Sequence, residues 1–414
     1  MRFAFVTDEL PVAGVAGHLA FNATILGWLR SQGHEVVILL TRPRFVLPIQ
    51  RYGVVPVYGP GVKDWRGFLI SYRVSDVAPI LARYVLGKLP AALATLLRRR
   101  GRVRRYGLVD AVLGGFITPE QSEWCAQRLV EMRADAVLID TIFRAPVLAD
   151  PRLAGINSVI LAHDVFHQRH RALASAGYQV HPAILTREIE ASLLRTAGHV
   201  AAIQPEEAAE IRAMCPDHAV HITPMPAITC PRPPHVTREP NRLVFVGSDS
   251  LPNLDGLRWF LADIWPRLLA WQPDLTLDLV GNCGSALGRL PQGVYRAGQV
   301  RQLEAILHKA SLAISPLRVG SGLKIKLLDY ARHGLTTIAT PVSLQGFARD
   351  KTAPFITASD AVSFCIAIQK TLQAPNPELA EQAALSYVDR HYGIEQNFAG
   401  LAEALGLPVR LSAS

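Results

Sequence analysis

Short apolar runs alternate along this chain with amphipathic stretches of helical period. Phe3–Val6 has the pattern of a buried strand. A loop over 8–17 leads to a helical spacing over 19–31, with Phe21, Ile25 and Leu29 on one face. Gly33 ends that helix, and Val36–Leu40 is a second strand. Strand, helix, strand implies a parallel sheet with a right-handed crossover. Residues 42–75 are turn-rich and only partly readable. Residues 76–97 carry an amphipathic helical pattern broken at Pro90. Pro119–Met132 reads as a helix, Ala136–Ile139 as a strand ending at Asp140, and Ser158–Leu161 as a strand running into His163 and Asp164. Glu188–Ala197, His199–Ile203 and Glu206–Met214 continue as helix, strand, helix.

Six prolines then interrupt the pattern: Pro224, Pro226, Pro231, Pro233, Pro234 and Pro240. They mark an extended linker over 224–240. A second α/β series follows, with strands at Leu243–Val246, Leu275–Val280, Leu312–Ile314 and Thr336–Ala339 and helices over 257–269 and 303–309. Residues 378–406 are helical, with a break near Tyr392-Gly393. The expected fold is α/β, with two Rossmann-like doubly wound units over 1–223 and 241–385 facing across a cleft. Such a cleft suits two substrates.

Composition narrows the classes. Half of the 414 residues are hydrophobic and 19% are charged, as in an ordinary soluble globular protein. Five scattered cysteines without a Cys-x-x-Cys pair predict free thiols in a reducing cytosol. The first strand begins without a signal-type segment, and Asp76, Arg83, Lys88 and Pro90 interrupt the best candidate for a membrane span. The net charge of +9 is uneven: residues 1–110 hold 16 Lys/Arg against 6 Asp/Glu. Arg98, Arg99, Arg100, Arg102, Arg104 and Arg105 form the densest cluster. No aromatics interleave with them, which argues against nucleic acid and makes an anionic membrane surface the candidate partner. An apolar stripe ending in arginines suits docking on the inner leaflet; it equally suits a core-packed helix with a solvated basic end. The expected location is cytoplasmic, with peripheral attachment as the further candidate.

The most informative stretch is Pro316–Gly334. An apolar strand leads into Gly320-Ser321-Gly322, where Ser321 can cap a helix that Gly334 ends. Free N–H groups and the helix dipole gather positive charge at that mouth, and Arg318, Lys324 and Lys326 add to it. Asp329 lies three residues beyond Lys326, on the same face. This suits a diphosphate, with a carboxylate one turn deeper accepting sugar hydroxyls. In the first half, Gly14 and Gly17 allow close backbone approach to a ligand, although the spacing is not a dinucleotide fingerprint. His163 and Asp164 stand where ligands of parallel sheets bind, beyond a strand's carboxyl end. His163 and His167 are four apart, but no third ligand stands at recognisable spacing, so the loop reads as a cleft lining and no metal is assigned.

These residues resemble the GT-B glycosyltransferases of retaining family four. The resemblance rests on Pro252-Asn253-Leu254-Asp255-Gly256-Leu257-Arg258-Trp259-Phe260, then Ile264-Trp265-Pro266, the block Pro316–Gly334, Thr340 and Gln345-Gly346. The first half fits through its opening strand, Gly17-His18, Gly33-His34-Glu35-Val36 and His163. What the resemblance implies is transfer of a sugar from a nucleotide-diphosphate sugar to an acceptor hydroxyl, with retention and without a bound metal or other cofactor. It implies glycan, glycolipid or polysaccharide biosynthesis, and a segment over 386–414 that crosses back onto the first, acceptor-side unit. By position, Asp329 matches the second glutamate of the family's E-x7-E motif and Ser321 the first. Lys324, Lys326 and the Ser321/Gly322 amides would hold the diphosphate, with Arg318, Gly247, Ser248, Asn253, Gly298 and Val300 completing the donor side. His163 matches a histidine beside the donor sugar, so His163, Lys326 and Asp329 are the catalytic candidates. Gly14, Gly17, His18, Arg144, Asp164 and Arg169 are the acceptor-side candidates. Ser248 and Asn253 stand where many members carry Arg and Lys, so the cationic charge must come from Arg318, Lys324 and Lys326. Two other readings stay open: a GT-B sugar-nucleotide epimerase using Asp140, Asp164, His163 and His167, and a degenerate non-catalytic nucleotide-sugar-binding protein.

Overall fold

The computed structural model describes residues 1–12, 17–42, 49–72, 110–300, 302–320, 323–348 and 350–409. Gly14, Ser321, Gly322, the 76–97 pattern and the Arg98–Arg105 cluster lie outside them.

The first unit is built on a parallel sheet whose central strands are apolar on both faces, as strands covered by helices on each side must be. Its strands are β1 (Arg2–Thr7), β2 (Glu35–Leu40), β4 (Val57–Tyr58), β8 (Ala136–Asp140), β9 (Asn157–Ala162), β11 (His199–Ala202) and β12 (Ala219–Ile222), in the order β12-β11-β9-β8-β1-β2-β4. Helices α1 (Gly17–Ser31), α2 (Pro119–Met132), α3 (Phe166–Ser175), α4 (Arg187–Leu194) and α5 (Pro205–Met214) cover it. Phe21, Ile25 and Leu29 of α1 are buried on the sheet, as their spacing predicts. Thr118 and Gln121 close a capping box at the start of α2.

The turn-rich stretch after β2 holds structure that its pattern does not reveal. The short strands β3 (Ile49–Arg51), β5 (Val62–Trp65) and β6 (Phe68–Ser71) form an antiparallel sheet. The β5–β6 turn is Arg66-Gly67, both with positive φ, so the hairpin uses a primed turn without the usual Asn-Gly signal. Two further short strands, β7 (Asp110–Val112) and β10 (Gln179–His181), pair parallel away from the main sheet.

The second unit is a six-stranded parallel sheet in the order β15-β14-β13-β16-β17-β18. Its strands are β13 (Arg242–Val246), β14 (Thr276–Val280), β15 (Val294–Gly298), β16 (Leu312–Ser315), β17 (Thr337–Ala339) and β18 (Phe355–Thr357). The strand order reverses between β13 and β16, and the crevice beyond such a switch point is where ligands of open sheets bind. Two helices begin elsewhere than the sequence suggests. Helix α6 (Leu251–Trp259) starts ahead of the expected 257, so Pro252 and Asn253 occupy its first turn; a π turn over Phe260–Ile264 joins it to α7 (Trp265–Trp271). Proline is pre-set for a first helical turn, which explains the earlier start. After α8 (Glu304–Leu307), α9 (Ile325–Arg332) begins with Lys324 in the N-cap position and no side-chain cap, rather than from Ser321. Leu323 and Ile325 instead pack on the core of the first unit, which fixes where the chain turns into the helix.

The chain ends with α10 (Ala361–Leu372), α11 (Pro377–His391), α12 (Ile394–Asn397) and α13 (Ala399–Ala404). The last two return to the first unit. Phe398, Leu401, Ala402 and Leu405 join the core of Phe3, Phe5 and α1. The proline-rich connection lies bonded along the second unit, with Ala227 N donating to Tyr392 O at 2.8 Å and Cys230 N to Arg332 O at 2.7 Å.

Candidate active site

On the first unit, β1, β8 and β9 are in register and release Thr7, Asp140 and His163 at one edge of the sheet. Asp140 is 4% exposed and fully engaged. Its carboxylate accepts from Thr7 Oγ1 at 2.7 Å, Asn22 Nδ2 at 3.1 Å and His163 Nε2 at 3.0 Å. Burial opposes its ionisation, but the His163 hydrogen bond, the nearby His163 and His18 imidazoles and Thr7 outweigh it and hold the carboxyl well below the usual range. Asp140, accepting at Nε2, fixes the orientation of the His163 ring and turns its Nδ1 the other way. That Nδ1 is buried without a hydrogen-bond partner among the described residues. Phe21 stands edge-on to the His163 ring at 5.6 Å, and His18 lies at 6.1 Å. Burial lowers the pKa of His18, but its hydrogen bond to Glu9 and the charges of Asp140, Glu9 and Asp8 raise it more.

The other first-unit candidates divide. Buried Arg144 pairs with Asp8 and donates to Gly115 O at 2.8 Å. Asp164 accepts from Arg169 at 2.8 Å. His167 turns the other way, to Glu190 at 2.7 Å, and Glu190 also accepts from the Phe166 and His167 amides that open α3. His163 and His167 therefore serve different neighbours, and of the four acid–base candidates only Asp140 and His163 are brought together as a pair.

On the second unit, Lys326 lies in the first turn of α9. Its Nζ donates to Asn253 Oδ1 at 2.6 Å and stands 4.1 Å from the centre of the Phe245 ring. Burial lowers its pKa to about 7; Lys324 pushes the same way and Cys283 opposes. Asn253 is held in turn by donating to Ser248 O at 3.1 Å. The turn after β13 passes so close to this cluster that a Cβ on Gly247 would meet Phe245 at 2.7 Å and Asn253 Nδ2 at 2.9 Å. Gly281 N bonds Gly298 O at 2.7 Å, bringing the ends of β14 and β15 alongside, while Val300 packs into the core beneath. Asp329, one turn deeper in α9, has a side chain 36% exposed, yet desolvation raises its pKa to about 6 against the pull of Arg332.

Two of the expected cations are spoken for. Arg318 makes a two-pronged pair with Asp255, at 2.6 and 3.0 Å, and lies over the Trp259 ring. Lys324 is buried and directed to the first unit: burial lowers its pKa to about 8, the charges of Asp164 and Glu207 oppose this, and Arg169 adds to it. Glu207, which the sequence reading passed over, is raised well above the usual carboxylate range, by burial first and by Asp164 second. Lys326 is thus the candidate cation that the α9 mouth holds for itself.

The two halves of the site meet through α1 and α9. A Cβ at Gly17 would come within 3.0 Å of Ile325 Cδ1. Gly17 precedes His18, His18 lies against His163, and Ile325 precedes Lys326. The start of α1, which carries His18, therefore meets the start of α9, which carries Lys326.

Residues 240–374 match the model of the family described as glycosyl transferases group 1. That stretch of the chain carries the family's sequence pattern. Over 174 residues the chain is 25% identical to an uncharacterized 44.6 kDa protein in the cps region of Klebsiella pneumoniae, covering 38% of this chain and 44% of that one. The chain thus spans under half the length of the curated relative it matches. Among solved structures it is similar to sucrose-phosphate synthase from Thermosynechococcus elongatus (TM-score 0.67, 15% identity, 97% of each chain). It is also similar to HepE of Anabaena in complex with UDP and glucose (TM-score 0.63, 11% identity, 98% of this chain and 99% of that one). WaaG, a glycosyltransferase involved in lipopolysaccharide biosynthesis, gives a TM-score of 0.60 at 15% identity over 97% and 98%. These likenesses establish the GT-B fold for the whole chain. The group 1 match spans Asn253, Lys326 and Asp329, and so contains the cluster around Lys326.

Proposed function

We propose that the protein transfers a sugar from a nucleotide-diphosphate sugar to an acceptor hydroxyl, with retention at the anomeric carbon and without a metal ion. The observation that carries this reading is the Lys326 ammonium, held by Asn253 and Phe245 in the first turn of α9, one turn ahead of Asp329. As the glycosidic C–O bond breaks, negative charge grows on the departing diphosphate. Lys326 and the positive end of the α9 dipole are preorganised to stabilise it. Asp329 accepts hydroxyls of the nucleotide ribose. The Gly247-Ser248 turn bounds the far side of the diphosphate. His163, its ring fixed by Asp140, accepts a sugar hydroxyl at Nδ1 and orients the donor. The acceptor enters from the side of His18, Arg144, Asp164 and Arg169.

The cps-region relative supports a role in polysaccharide biosynthesis. If the acceptor is carried on lipid, Arg98–Arg105 is the segment to dock the protein on an anionic surface, and association with anionic liposomes should weaken as salt rises. Binding indifferent to lipid charge returns those arginines to a solvated role.

The test of the reaction is incubation of the purified protein with a panel of nucleotide sugars and candidate acceptors. Release of nucleoside diphosphate, with the anomeric configuration kept in the product, is the expected result. An isomerised sugar nucleotide, or tight binding without turnover, would overturn the assignment.

A further inference from the structure

The connection between the two units has a feature that sugar transfer does not use. Its main chain is sewn to the second unit: Cys230 N donates to Arg332 O, Glu239 N to Lys309 O at 2.7 Å, and the Arg238 guanidinium to carbonyls of Leu307, Ala310, His333 and Gly334. This brings Cys230 to the carboxyl ends of α8 and α9, where the C-cap residues are His308 and His333. The Cys230 sulfur and one ring nitrogen of each histidine lie within 4.8 Å of one another. His308 is 5% exposed and His333 2%, while Cys230 is half-buried and open to solvent on one side.

Each histidine has one ring nitrogen committed to a backbone carbonyl. His333 Nδ1 donates to Asp329 O at 2.7 Å and His308 Nε2 to Cys230 O at 3.0 Å. A carbonyl can only accept, so each bond fixes a tautomer whose other nitrogen carries a lone pair. In His333 that nitrogen is Nε2, and it is buried with no hydrogen-bond partner among the described residues. A buried acceptor without a donor calls for an explanation. Imidazoles whose second nitrogen donates to a carbonyl are the usual form of metal-bound histidine. The carboxyl end of α9 adds partial negative charge at the same place.

We propose that Cys230, His308 and His333 form a zinc-binding site, using the sulfur and one nitrogen from each ring, with water in the fourth position. One thiolate and two imidazoles are a ligand set that suits Zn²⁺. With Zn–S near about 2.3 Å and Zn–N near about 2.0–2.1 Å, tetrahedral ligand atoms stand roughly 3.5 Å apart. Closing the present cluster around an ion therefore takes side-chain shifts on the order of 1 Å. Binding displaces the thiol proton to solvent, so about one proton is released per ion. The ion pins the connection to the end of α9. Lys326 lies seven residues back along that helix, about 10 Å away at 1.5 Å per residue. The site is thus a clamp at the far end of the helix that carries Lys326.

Co²⁺, which reports thiolate ligation by a near-ultraviolet charge-transfer band, is the probe. Titration of the full-length reduced protein should give that band with tetrahedral visible bands, saturating at one equivalent, and Zn²⁺ should bleach both. Cys230→Ser should abolish the charge-transfer band while the four other cysteines remain. His333→Gln can still donate to the Asp329 carbonyl, and should weaken Zn²⁺ binding by at least the roughly 10–100-fold lost when an outer-shell partner is removed. Zinc retained per chain after gel filtration, measured by atomic spectroscopy in the same variants, gives a second readout. Absence of the band in the parent protein, its persistence in Cys230→Ser, or equal zinc retention in parent and variants would each overturn the proposal.

Discussion

A lysine whose pKa has fallen to about 7 is charged in only part of the working range, and this makes Lys326 informative. A diphosphate selects the charged ammonium, so donor binding above pH 7 should draw a proton from solvent. Affinity should then decline as pH rises further. Asp329 runs oppositely: with its pKa near 6 it becomes neutral below that value and loses strength as an acceptor of ribose hydroxyls. Nucleoside diphosphate affinity should therefore be greatest between about pH 6 and 7, and calorimetry in buffers of different ionisation enthalpy should detect proton uptake at pH 8. A flat profile from pH 5.5 to 8.5 would remove both groups from the donor site. Lys326→Ala should lower turnover by roughly 10²–10³, the usual cost of losing one donor to a developing anion. An unchanged rate would exclude Lys326 from leaving-group stabilisation.

At the level of elements, the candidate site is made from strand ends and helix starts, and they differ in how openly the sequence announces them. The parallel strands β1, β8, β9, β13 and β16 are continuous apolar runs, so their course, and the release of Asp140 and His163 at one edge, can be read from hydrophobicity alone. The starts of α6 and α9 cannot. Pro252 looks like a loop residue until its place in a first turn is known, and α9 begins where Leu323 and Ile325 find the core of the first unit, a contact far away in sequence. The same distance hides the partners of Lys324 and Arg318: Asp164, Glu207 and Asp255 are ordinary acidic residues until the chain folds. Gly247 tests the donor-side arrangement. In Gly247→Ala the new methyl group must displace the Phe245 ring or the Asn253 amide, both of which hold Lys326. We expect weaker nucleoside diphosphate binding with the melting temperature nearly kept, read by thermal shift with and without ligand. Unaltered affinity would mean that this turn does not border the diphosphate.

Across the whole molecule, three of the joins between the two units differ in character. The connection after β12 is hydrogen-bonded along the second unit. The starts of α1 and α9 bring Gly17 to Ile325, and the charged groups Lys324, Asp164 and Glu207 interact across the same boundary. The third join is apolar: residues 398–407 lie in the core of the first unit, although the chain has just left α11 on the second. Phe398 anchors it, fully buried, with its ring 5.1 Å from Trp28 and 6.1 Å from Phe21. Truncating a buried phenylalanine costs about 3–5 kcal/mol, from lost burial and the cavity left behind. In Phe398→Ala that loss falls on the core shared by β1, α1 and the returning helices, so the first unit should melt ahead of the second. Denaturant unfolding followed by far-ultraviolet dichroism should show one transition moved to lower denaturant and separated from the other. Donor addition should shift the later transition upward, because the cluster around Lys326, proposed to hold the donor, lies on the second unit. A single transition at the parent's midpoint would mean that the returning helices contribute little to holding the first unit together.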